Sequence, residues 1–406
     1  SVKLELIILV VVLVSFLARC SSIFYVRFQP DIITKEYLDF TSGRAGTFSD
    51  DKIYALAGWL YINGASPDTI NFEHPPLAKY VIGFSEVLFM NQAILGLVIS
   101  VLTLILVYAI SRRVISALPF TIFPAVILSL DKMYIQLSSI SMLDIYATFF
   151  VTLSILLLVL DKKKWTQPLL YTAIGLAISC KWTAAFLIVL PPVYYVLKGE
   201  KHRLRHYPFY LIITVLAYTA TYSVFFLDNN TIQDFVCLQF KMLKYHQHLR
   251  FQMGTPPPLW ILLNFLLGIE GPTQIRTLLL NPEDMTVTIS PPERGLSLLD
   301  TYNPLTWPIS FSASILALYY SIKRSRQITP IPMAFLLLLA SMSTGKPFIW
   351  YLLPGIPFAF ISLAYMMNMS YVESKNRLVA KTILTLYLAS VMAWSLLIVL
   401  PPYIKT

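Results

Sequence analysis

Apolar residues in this chain gather into blocks. Eleven of them, at 4–24, 93–111, 115–131, 143–160, 166–181, 183–197, 207–227, 304–322, 328–343, 346–367 and 382–402, are read as helices crossing a bilayer, which takes about 20 largely apolar residues each. The first block is expected to be a retained helix, because no small-residue cleavage site follows it and the other blocks are equally apolar. The stretch 77–90 is shorter and carries Lys79 and Glu86, which predicts a helix lying at the membrane interface. Two polar regions, 25–92 and 228–303, are too long to be connectors. The second contains amphipathic stretches at 234–245 and 258–268. No internal repeat and no matching pair of broken helices occurs, so the pattern of many transporters is missing. The expectation is an all-α polytopic membrane protein, one transmembrane domain over 1–406 with amphipathic helices in its two long loops.

Charge decides which way the helices run. Lys and Arg number 31 and Asp and Glu 21, a formal +10. With the N-terminus inside, the short loops at 112–113, 161–164, 198–206, 323–326 and 368–381, with Lys3 and Glu5, hold 16 basic and 4 acidic residues. That leaves the inside at +12 and the outside at −2, as the positive-inside rule requires. The run KGEKHRLRH at 198–206 is therefore a topology signal and a contact for anionic lipid; nucleic acid is not expected as a partner. Charged residues make up 13% of the chain against about 25% in a soluble domain, which excludes a soluble globule. Three dispersed cysteines support neither a disulfide framework nor a zinc site.

Candidate chemistry collects on the external side. Asp50 and Asp51 are adjacent carboxylates, followed by Glu73, His74 and a Pro-Pro pair; several proton acceptors thus stand near a membrane-surface helix. Read alone, the two aspartates equally suit a turn or a helix N-terminus. Asp131 falls at the external end of the third block and Asp144 at the start of the fourth, where a carboxylate either caps the helix or faces a cavity. Lys181, beside Trp182, ends the fifth block. It either snorkels to the headgroups or neutralises a phosphate at membrane depth. His246 and His248 lack a third ligand at suitable spacing, so no metal is expected.

Taken in order, Arg19, the acid pair, HPPLAK at 74–79, SSISMLDI at 138–145, GLAISCKW at 175–182, FVCLQFKMLKYH at 235–246, YNPLTW at 302–307 and KPFIWYLLPGIPF at 346–358 form a pattern. It resembles the protein O-mannosyltransferase family of the GT-C glycosyltransferases along nearly the whole chain. HPPLAK is its most specific piece. The family's eleven-span, N-inside architecture is the one reached above from hydropathy and charge.

The resemblance implies metal-independent transfer of a sugar, mannose in the family, from a polyprenyl or dolichyl phosphate to a Ser or Thr hydroxyl of a secreted or membrane protein, with inversion. Asp50 matches the family's base. Asp51 stands where a Glu is usual. Lys181 matches the phosphate-contacting lysine, with His74, Lys346, Tyr351 and Arg19 as further donor-side residues. Glu73, Asp131, Asp144, His246 and Asn303 are expected to support the sugar or acceptor. At Ser139 the family commonly has Arg, so Arg19, Lys132 or Lys346 is expected to replace that cation. The 228–303 loop is too short for the β-trefoil domain of eukaryotic relatives, which points to a prokaryotic, archaeal-type form in the plasma membrane with an outward-facing site. Family members often dimerise, and no interface is legible here. Two alternatives stand beside this reading: the same donor with a lipid or glycan acceptor, and a lipid-sugar transporter, which would place charges near the bilayer midplane.

Overall fold

Helices form where the apolar blocks predict them, and proline decides where several of them break. The computed structural model describes residues 2–44, 48–160, 165–252, 302–324, 326–341 and 349–399, with short pieces at 266–267 and between 274 and 294. Helix α1 (Val2–Arg19) leads into the first long loop, which contains α2 (Pro30–Thr41), α3 (Asp50–Ile62) and α4 (Leu77–Phe89). Then come α5 (Ile94–Val114), α6 (Phe123–Leu130), α7 (Lys132–Ser138), α8 (Leu143–Val159), α9 (Thr166–Cys180), α10 (Leu190–Lys198), α11 (Tyr207–Ala220) and α12 (Ser223–Leu227). Helix α13 (Ile232–Gln252) opens the second loop, where two short antiparallel pairings join Gln274–Ile275 to Glu293–Arg294 and Leu278–Leu280 to Val287–Ile289. The chain continues through α14 (Trp307–Lys323), α15 (Pro330–Ser341), α16 (Ile356–Glu373) and α17 (Arg377–Val399). Lys346 and most of the predicted stretch 258–268 lie outside the described residues.

The helices follow the predicted order, but they are less continuous than eleven uninterrupted crossings. Among the described residues only Ile94–Val114 and 377–395 are long and apolar enough to cross a bilayer alone; α7 and α8, bent by 112°, make a third if counted as one broken span. The block at 115–131 keeps only α6, with Pro124 in its first turn. The 183–197 block divides into a 3-10 stretch, Trp182–Val189, and α10, which starts on Pro191 and Pro192. Each proline lacks the N–H that would continue the preceding helix.

A central group of α5, α8, α9 and α11 packs side by side, and α14, α15 and α16 pack with α6 beside it. A buried polar contact ties α1 to α5: Glu5 accepts from Tyr108 Oη at 2.7 Å and from Arg112 at 2.5 Å. Another ties the C-terminal half to α7. Asp131 caps α7 by accepting from the Tyr134 N–H at 3.0 Å and also accepts from Trp307 Nε1 at 2.9 Å.

Helix α4 is inverted relative to the expectation for an interface helix. Lys79 and Glu86, whose charges suggested contact with headgroups, are both 0% exposed, while Phe84, Val87 and Leu88 point outward. The reason is a glycine crossing. A Cβ on Gly58 of α3 would come within 2.6 Å of the Lys79 carbonyl, and one on Gly83 of α4 within 2.3 Å of the Gly58 carbonyl. The backbones therefore touch, and Lys79 is carried into the joint beside Tyr61 of α3, while Glu86 is buried within electrostatic reach of Tyr146 of α8. Burial pushes the Glu86 carboxyl up to about 9, so it is held there in its neutral form. Gly83→Ala should separate the two helices and lower the melting temperature of the purified protein by several degrees, since overpacking costs about 1–3 kcal/mol.

Candidate functional site

The site is assembled from the first loop, the start of α3, the junction after α9, and α13. Asp50 and Asp51 form the first turn of α3, where the helix dipole favours anions. Asp50 is exposed and Asp51 half-buried. The Asp51 carbonyl accepts from Ser141 Oγ at 2.8 Å, joining α3 to the turn between α7 and α8. Lys52 pairs with Glu36 of α2 at 2.6 Å. One turn beyond Asp50 and on the same face, Tyr54 is buried with its ring edge-on to His74 at 5.9 Å. Burial, and then the charge of Asp50, drive the Tyr54 phenol well above its usual value, so it stays protonated. Asp50 lies within electrostatic reach of Lys181, Tyr245 and Tyr351.

Lys181 is held where α9 ends, in an extended conformation (φ −159°, ψ 133°) that turns its side chain out of the helix. Its Nζ donates to both oxygens of Asp144, at 2.7 and 2.8 Å, and sits 3.6 Å above the Tyr351 ring. Lysine and aspartate are 2% and 0% exposed. A buried pair of this kind holds a cation at depth, because removing either partner strands the other. The ring beneath adds cation–π attraction. Asp144 is thus the counter-ion of Lys181, a role that its position at a helix start did not distinguish from capping.

Helix α13 closes the other side. His246 Nε2 meets the Glu73 carbonyl at 2.8 Å, and its ring lies 5.4 Å from His74 and 6.0 Å from Trp182. Trp182 Nε1 donates to Tyr218 Oη at 3.0 Å, and that hydroxyl donates to Gln239 of α13 at 2.6 Å. Side-chain detail at His248 lies outside the described residues. Among the described residues, no three His, Cys, Asp or Glu converge as metal ligands.

The expected residues separate into two groups. Lys181, Asp144 and Tyr351 form one contact cluster, within electrostatic reach of Asp50, and Glu73, His74 and His246 form another. Asp131 and Asn303 serve the scaffold: Asp131 as described above, Asn303 by accepting from the Leu305 N–H at 3.0 Å. Trp307→Phe removes a donor from the buried Asp131 carboxylate. It should lower stability by about 1–3 kcal/mol in a thermal melt while leaving the turnover of folded protein within about threefold. Position 139 is the third case. Ser139 Oγ and Cys20 Sγ both approach the Ile135 carbonyl, at 2.8 and 3.9 Å, so the end of α1 lies against the place where the family has its arginine. Arg19 is next to Cys20, and its Nη1 is buried without a partner among the described residues. Sequence reasoning gave no role to Asn71, Ser141 or Tyr54. The role of Lys79, inside HPPLAK, was hidden because its charge suggested exposure.

Residues 73–225 match the family described as dolichyl-phosphate-mannose-protein mannosyltransferase. Among solved structures, ArnT from Cupriavidus metallidurans bound to undecaprenyl phosphate is similar at 15% identity and TM-score 0.58, over 98% of this chain and 64% of that one. The apo oligosaccharyltransferase of Archaeoglobus fulgidus is similar at 13% identity and TM-score 0.52, over 97% of this chain and 54% of that one. Its form tethered to an acceptor peptide containing the NVT sequon gives 12% identity and the same TM-score of 0.52, over 97% and 54%. The chain spans between 54% and 64% of the length of these structures. No curated protein matches it in sequence. Fold and segment match together point to the class of integral membrane proteins to which these enzymes belong. The chain has the fold of the GT-C membrane glycosyltransferases, and its segment 73–225 is similar to the protein mannosyltransferases.

Proposed function

We propose that this protein transfers mannose from a polyprenyl or dolichyl phosphate to a Ser or Thr hydroxyl of a protein on the outer face of the membrane. The observation that carries this reading is a buried cation, Lys181, inside the segment similar to mannosyltransferases and within electrostatic reach of an exposed carboxylate, Asp50, that precedes that segment. The acceptor hydroxyl attacks the anomeric carbon and gives its proton to Asp50. The bond from that carbon to the phosphate oxygen breaks with inversion, and the electron pair leaves on the polyprenyl phosphate. Lys181 meets the charge that grows there. For Nζ to turn toward the phosphate it must share or exchange Asp144, which keeps the cation neutralised at rest. Arg19 supplies the guanidinium missing at 139, His74 lines the phosphate side, and the step as written uses only groups of this chain.

The test is incubation of purified protein with radiolabelled dolichyl phosphate mannose and three acceptors: a Thr-rich peptide, a lipid and a glycan. Label in the peptide is the expected result. Label only in the lipid or glycan keeps the donor and changes the acceptor. Uptake into vesicles without any transfer product overturns the enzyme reading.

A further inference from the structure

The proposed mechanism leaves one fully buried cation without a task. Lys79 of α4 is 0% exposed, and its Nζ donates to the carbonyls of Asn71 at 2.6 Å and His74 at 2.7 Å and to Asn71 Oδ1 at 3.2 Å, with Tyr61 Oη at 3.3 Å. An ammonium has three protons, and three acceptors lie within 3.2 Å, so none is left for a substrate. The Tyr61 hydroxyl in turn lies between the carbonyls of Ile70 and Pro67. One side chain therefore gathers the backbone from Pro67 to His74 around itself.

We propose that Lys79 is a positioning residue for the donor-phosphate side of the site, acting from beneath the Asn71–His74 loop; this rests on the assignment of His74 to that side. The loop is held in a conformation that it would not adopt unaided. Asn71 has φ +50°, the left-handed region that Asn tolerates better than most side chains. With its carbonyl and Oδ1 both held by Lys79, Asn71 aims Nδ2 at Glu73 Oε1, 2.7 Å away. The Glu73 carbonyl meets His246, and the fixed His74 carbonyl sets the ring between Tyr54 and His246. Lys79 thus connects α4, the first loop and α13, and both histidines depend on it. Burial pulls its ammonium down to about 7, opposed by the Glu73 carboxylate, so the protein bears a cost to keep a cation where methionine would fit.

The experiment compares wild type, Lys79→Met, Asn71→Gly, His74→Ala and the Lys79→Met/His74→Ala pair, purified in detergent. Binding of undecaprenyl phosphate is measured by thermophoresis and backbone hydrogen exchange by mass spectrometry. Lys79→Met should weaken binding about tenfold and Asn71→Gly about threefold. Both should speed exchange at 67–75 and 243–247 while α5 and α8 exchange as in wild type. On the His74→Ala background, Lys79→Met should add less than about twofold, because the two act as one unit. An undiminished tenfold loss on that background, or unchanged exchange at 67–75 in folded Lys79→Met, overturns the proposal. If Lys79→Met does not fold, Asn71→Gly decides: wild-type exchange and binding in that variant overturn it. Absence of lipid binding by wild type removes the phosphate reading instead, and faster exchange at 67–75 and 243–247 would still support Lys79 as the organiser of the loop.

Discussion

Asp50→Asn should yield a folded protein that binds the lipid donor and transfers sugar at least about 10²-fold more slowly, the lower end of what a positioned general base contributes. Stability should barely change, because Asp50 is exposed in the first turn of α3, where a polar amide is also accommodated. The loss comes from chemistry. An amide has nearly the shape of the carboxylate but cannot accept the hydroxyl proton. Asp51→Asn is the control, because the structure engages the backbone carbonyl of Asp51, through Ser141. The two variants are compared by single-turnover transfer of labelled mannose beside thermal melts. Near-normal turnover in Asp50→Asn removes Asp50 as the base.

The second large effect is expected at Lys181, and there stability and function must be separated. Lys181→Met strands Asp144 as a buried carboxylate whose partner ammonium stood 2.7 Å away. Breaking a buried pair in this way costs about 3–5 kcal/mol. The single variant should therefore melt far below wild type and transfer no detectable sugar. Adding Asp144→Leu removes the stranded carboxylate and should restore most of the melting temperature, since an apolar replacement of a buried pair is often neutral or stabilising. Transfer should not return, because the cation that meets the departing phosphate is still missing. Recovery of turnover in the double variant would show that Lys181 serves only to neutralise Asp144.

These two sites were legible in the sequence to different degrees. Asp50 could be read as a turn or a helix start, because acids favour both, and the loop charges put it on the expected outer side. Lys181 could be placed at the end of a span, because the apolar block stops there. Neither argument shows that Lys181 and Asp144 face each other from α9 and α8, since 37 residues separate them. For Lys79 and Glu86 the local argument misled. A charge on an apolar helix ordinarily indicates exposure, but the Gly58–Gly83 contact draws α4 close enough to α3 to satisfy Lys79, and burial holds Glu86 as a neutral acid. Asp131 could be read from its position as a cap or a cavity residue, and Asn303 only through the family resemblance; the bonds of Asp131 to the Tyr134 N–H and Trp307, and of Asn303 to the Leu305 N–H and Ser395, follow from the tertiary structure.

The sequence by itself determined the helical membrane class and the order of the apolar blocks, and it singled out the region of the candidate residues. These depend on local hydropathy and on charge counted along the chain, which need no contacts. Only the tertiary structure decided which polar groups meet: Lys181 with Asp144 and Tyr351, His246 with Glu73, and Lys79 with the loop at 71–74. A buried charge must find its partner across space, and the partner's position follows from how helices cross rather than from spacing along any one of them.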